Sequence, residues 1–146
     1  MNRAAQQRTG RRRQRPTAGR RLGAAAVEFA VVAPVFFMLL VGMIEVGRAV
    51  MVQQVLINAS RVGARQAVML SATNDSVVDA VTDYAEGVGI SGVDVTVSPN
   101  PATAAAGTPI TVDAAINFAN VSWLPAPWFM GGKTLASSSV MRKEGF

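Results

Sequence analysis

Apolar positions follow three different rhythms along the chain, and each predicts a different element. Residues 24–44 read AAAVEFAVVAPVFFMLLVGMI, 21 positions with no basic residue and one charge, Glu28. At 1.5 Å per residue this run spans roughly 30 Å, the thickness of a bilayer core, so it predicts a transmembrane helix. The competing reading is a buried core helix; the length of the run and the Arg block beside it argue against that. The helical rhythm continues past Ile44. Residues 45–70 contain no Pro, and Val46, Val50, Val55, Ala59, Val62 and Met69 recur at near-helical spacing. One amphipathic helix is therefore expected from about residue 24 to about residue 70. Pro34 should kink its membrane part, because the ring removes a backbone bond to Ala30. Gly42, Gly47 and Gly63 weaken the helix locally but let a neighbouring helix come close. Glu45 and Arg48, three apart, are expected to pair on the helix surface where the span ends. Arg61 and Arg65 share a face, either as a partner surface, as a contact with acidic headgroups, or simply as a solvated side.

A turn at 71–76 follows, with Asn74 or Asp75 as the expected N-cap of a short helix over 77–86. Val77, Val78, Val81, Tyr84 and Ala85 line one face of it, and Asp75, Asp79 and Asp83 another. That acidic spacing does not supply the alternating oxygens of a calcium loop. Gly87 and Gly89 end the helix. The rhythm then changes to two. Residues 93–97 and 110–118 alternate as half-buried antiparallel strands, and 133–142 is expected to return as a third. Two Pro residues keep 121–132 irregular. Its Trp123, Trp128, Phe129 and Met130 read either as lids on the core or as an exposed contact patch, with a membrane-interface role open to the Trp pair. The 76 residues after Leu70 make a marginal core alone, so the sheet should pack against the second half of the long helix. The class is α+β: a long N-terminal helix, a short helix and a small antiparallel sheet.

Charge changes the picture of the N-terminus. The 146 residues carry a net charge of +5. The first 21 hold eight Arg and no acid, so +8, while the rest hold six basic and nine acidic residues, so −3. Residues 1–23, almost without apolar content, are expected to be a disordered leader. By the positive-inside rule this leader stays in the cytoplasm, and the region beyond the span lies outside. A cleaved secretory signal fits less well. Its apolar stretch is shorter and ends in small residues, whereas here the small residues stand at the front. The same topology explains the Arg block without nucleic acid, and the tail lacks interleaved aromatics.

Candidate chemistry is sparse. The chain has no Cys and no His, which excludes disulfide frameworks, thiolate metal sites and triads built on His. Neither a phosphate-binding Gly-x4-Gly-Lys loop nor a dinucleotide fingerprint is present. No enzyme activity, cofactor, metal or small-molecule substrate is expected. Glu28 alone stands out: a carboxylate inside a membrane helix costs about 2.5–3.5 kcal/mol at mid-bilayer and less near the surface. It is either functional or shallow enough to reach the headgroups.

Arg20-Arg21-Leu22-Gly23 followed by Ala24-Ala25-Ala26-Val27-Glu28-Phe29 resembles the processing site of type IV prepilins. That resemblance implies cutting between Gly23 and Ala24 by a prepilin peptidase. The new Ala24 amine would then pair with Glu28 of a neighbouring subunit, which sets axial register. A longer stretch is similar to the TadE-like family of tad pilus assembly proteins, minor pilins or pseudopilins. The residues carrying it are AAAVEFA, Pro34, GMIEVGR at 42–48, QQVLINASRVGAR at 53–65 and VMR at 140–142. The family implies a pilin-like fold and a single-pass protein of the bacterial inner membrane. Its partners would be the peptidase, other pilin or pseudopilin subunits and the tad assembly platform. The alternative is an unprocessed single-pass envelope protein whose exported domain (71–146) binds another protein.

Overall fold

In a computed structural model of the chain, residues 18–125 and 130–145 are described, 18–22 by their backbone alone. The chain divides into two units, Met1–Met38 and Leu39–Phe146. Helix α1 (Ala18–Ala67) begins in the first and ends in the second.

In the first unit, α1 carries Val27, Phe29, Val31, Val32, Val35, Phe36 and Phe37 exposed. The rings of Phe36 and Phe37 meet edge-on, with centroids 5.8 Å apart. A helix serving as a soluble core would bury such residues. Here the most apolar window is wholly uncovered, and the segment Gly23–Ala67 qualifies as a candidate membrane span by length and composition. The helix starts at Ala18 rather than near residue 24. Ala18, Arg20, Arg21 and Leu22 are good helix formers, and extending an existing helix by one turn needs no new nucleus. The proposed leader is therefore helical in its last six residues. Residues 1–17, with most of its Arg, lie outside the described residues.

The second unit packs the rest of α1 with helix α2 (Asn74–Gly87) and a sheet of β1 (Asp94–Ser98), β2 (Pro109–Asn117) and β3 (Thr134–Arg142). The sheet is an antiparallel meander in the order β1-β2-β3. Asp94 lies opposite Ala115, and Ala115 opposite Ala136. Along β2, Ile110, Val112, Ala114 and Ile116 point inward. They join Val52, Leu56 and Ala59 of α1, Val77 and Val81 of α2, and Ile90 and Phe118 in one core. Each fully buried Leu, Ile or Phe among them contributes about 1.5–3 kcal/mol. All three expected strands are present, within a residue of their expected limits.

Three expectations are corrected, and one of two open readings is decided. The face of α1 that enters the core is Ala49, Val52, Leu56, Ala59, Gly63, Ala64 and Ala67, whereas Val46, Val50 and Met69 are exposed. This stretch is apolar on two sides, and α2 and β2 come closest near Gly63, where the buried side has its small residues. A Cβ on Gly63 would collide with Val81 Cγ2 and stand 3.0 Å from Val112 Cγ1. Glu45, expected on the surface, is buried at 1% exposure and has a polar partner. The N-cap of α2 is Thr73, not Asn74 or Asp75: its Oγ1 accepts from Ser76 N at 3.2 Å and Ser76 Oγ accepts from Thr73 N at 3.0 Å. That reciprocal box needs a hydroxyl three residues on, which only Thr73 has in register. Trp123 is no lid on the core but 67% exposed, while Met130 does pack on the core. Trp128 and Phe129 lie outside the described residues.

The C-terminal end of α2 follows its glycines. Gly89 has φ +80, donates to Glu86 O at 2.9 Å and delivers Ile90 into the core; a left-handed residue here favours Gly.

Candidate processing and assembly segment

All the singled-out residues lie on α1, and they fall into two groups. Gly23, Ala24, Glu28 and Phe29 belong to the first unit. Gly23 is helical, with open space where a Cβ would stand. Glu28 is exposed, and Phe29 is 71% exposed. Ala24 and Glu28 are four residues apart, so they share one face about 6 Å along the axis. A second helix displaced by one turn would therefore bring its Glu28 level with Ala24. Pro34 lies inside α1 in this unit as well.

In the second unit, the three glycines behave differently. Gly42 is half-buried, Gly47 faces open space and Gly63 is crowded by α2 and β2. Of the proposed packing positions, Gly47 keeps its surface free for another helix, and Gly63 spends its small size within this chain. Arg61 and Arg65 are both exposed, as are Asp75, Asp79 and Asp83 on α2. No group of three or more His, Cys, Asp or Glu among the described residues is placed to hold a metal ion.

Residues 23–65 match the family model of the TadE-like proteins. This TadE-like segment opens at Gly23, the residue before the expected cut, and closes at Arg65, the second of the exposed Arg pair. It thus coincides with all but the first five and last two residues of α1. The sheet and α2 lie outside the TadE-like match. No curated protein and no solved structure matches the chain.

Several contacts that hold the TadE-like helix to the sheet escape the sequence reading. Ser60 is buried, and its Oγ is hydrogen-bonded to Ser139 Oγ at 2.9 Å and Ser137 Oγ at 3.2 Å. Gln53 Nε2 donates to Ala136 O at 2.8 Å. Lys143 is buried and its Nζ donates to Met69 O at 2.7 Å, just past the end of α1. Arg48 Nε donates to Val121 O at 2.9 Å, and its guanidinium stands 4.7 Å from the centre of the Trp123 ring. These pairs are far apart in sequence. Only the Ser-rich alternation of β3 signals one of them.

Proposed function

We propose that this chain is a minor pilin or pseudopilin that takes part in assembling a tad-type pilus or a related secretion apparatus. It is a single-pass protein of the bacterial inner membrane, with its N-terminus inside and the sheet-bearing unit outside. The observation that carries the reading is that the TadE-like match opens at Gly23, with an exposed apolar stretch directly after it and a Glu five residues on. A prepilin peptidase cuts after Gly23, and the freed amine of Ala24 pairs with Glu28 of the next subunit. In a low-dielectric layer that pair removes two exposed charges at once and fixes the axial step. The exposed large apolar residues of the first unit serve lipid before assembly and neighbouring helices afterwards. The role is structural rather than catalytic, and the partners are other pilin subunits and the assembly platform.

Intact-mass measurement on protein extracted from cells with an active prepilin peptidase tests the cut. A chain beginning at Ala24 is expected, and one still beginning at Met1 would overturn the reading in favour of an unprocessed envelope protein. A Glu28→Ala variant should insert and be processed normally but be absent from sheared filaments or assembly complexes.

A further inference from the structure

The apolar surface of α1 does not end where the apolar run of 24–44 ends. Met43, Ile44, Val46, Val50 and Met51 are all exposed, Met43 at 72% and Val50 at 65%. Single exposed apolar residues are ordinary on a soluble surface. Five within nine positions, next to an exposed Trp123, form a collar that asks for a cover. The two charges at the same level are both engaged by the protein. Glu45 is buried with a polar partner. Arg48 is half-buried, tied to Val121 O, with Nη1 3.5 Å from Met51 Sδ and its guanidinium face against Trp123. A helix turn facing water would do the opposite, turning its charges out and its valines in.

Depth identifies the cover. Met51 is seven residues past Ile44, about 10 Å along the helix. The headgroup layer on one side of a bilayer is roughly 5–7 Å thick. The collar therefore spans that layer, and beyond it the exposed positions of α1 turn polar at Gln54, Arg61 and Arg65. Trp is the side chain that favours this layer, and an Arg lying across its ring keeps an apolar stem beside a polar head.

Resting on the reading of α1 as a membrane anchor, we propose that the folded second unit sits in the outer headgroup layer of that bilayer. Val46, Val50, Met51 and Trp123 form the contact, and the Arg48–Trp123 stack is the anchor. The unit is thus a peripheral lipid-binding body as well as a tethered one.

The test uses the full chain in phosphatidylcholine vesicles. The sequence has two Trp and no Cys, so Trp128→Phe leaves Trp123 as the sole tryptophan, excited selectively over Tyr84. Lipids brominated near the headgroup should quench Trp123 more than lipids brominated deep in the chain, and aqueous iodide should quench it little. As a second probe, Val50→Cys carrying an environment-sensitive dye should be blue-shifted and shielded from iodide, with Asp79→Cys on α2 as the water-exposed control. If the vesicles float with the protein but Trp123 and the Val50 dye answer only to iodide, the proposal fails and the anchor stands. If both are shielded from iodide yet untouched by bromolipid, a second copy covers the collar and the proposal also fails. If the protein does not float with the vesicles, the anchor reading falls and takes the proposal with it.

Discussion

The two ends of α1 both carry apolar residues but meet different surroundings, and their choice of residues shows it. The apolar N-terminal part, a candidate membrane span, displays Phe29, Val32, Phe36, Phe37 and Leu39, large side chains left uncovered. The later part turns Val52 and Leu56, flanked by Ala49, Ala59, Gly63, Ala64 and Ala67, toward the sheet and α2. A lipid chain or a neighbouring helix can adapt to a bulky side chain. A sheet already filled by Ile110, Val112 and Ile116 cannot, so the helix must thin itself to approach. The first part is apolar nearly all round and keeps its bulk, whereas the later part is apolar on the face it buries and narrows that face to Gly63 where α2 and β2 come close.

Substitutions at matched positions should break the comparison if volume is not the deciding quantity. The largest effect is expected from Leu56→Ala, which empties a fully buried position. It should cost about 2–5 kcal/mol in urea unfolding of the detergent-solubilised chain. Phe37→Ala, at an exposed site, should shift the same curve by no more than about 0.5 kcal/mol. Next comes the sign reversal between two glycines. Gly63→Ala should destabilise by about 1–3 kcal/mol, since its Cβ meets Val81 and Val112. Gly47→Ala, with open space around it, should be neutral or stabilise by up to about 1 kcal/mol through helix propensity. Equal responses at the two positions would show that close approach is not what selects Gly63. The smallest effect is expected away from α1. Thr73→Ala removes one half of the α2 capping box and should cost about 1 kcal/mol, visible as earlier proteolysis near residues 71–76.

How much of this was legible in sequence depends on the range of the interaction. The exposed span, α2 and the strands follow from local periodicity, and all appear close to their expected limits. The side of α1 that enters the core was legible only in part: Ala59 enters it and Val55 packs on it, but Val46 and Val50 stay exposed, and nothing local says which apolar side meets the sheet. Glu45 was placed on the surface for the same reason, since burial by a distant segment leaves no local signal. The Arg48–Trp123 stack joins residues whose approach is fixed by the turn after β2, and no spacing rule reaches that far. The processing and assembly residues are different again. Gly23, Ala24, Glu28 and Phe29 were found from a short motif, and the family match covers them. The role proposed for them would depend on a peptidase and on neighbouring subunits, so it is not a property of one folded chain.

The ties between α1 and the last strand have a consequence for how the molecule comes to be folded. Gln53 waits for Ala136, Ser60 for Ser139, and the turn after α1 for Lys143, separations of 83, 79 and 74 residues. Contacts of such span close late, after the entropy of a long loop has been spent. On a growing chain α1 is made first, and α2 and β2 can cover its Gly63 side before the last strand exists. For that interval the Gln53 amide and the buried Ser60 hydroxyl have no strand to bond. The order of synthesis therefore leaves polar groups on α1 that only the final strand satisfies.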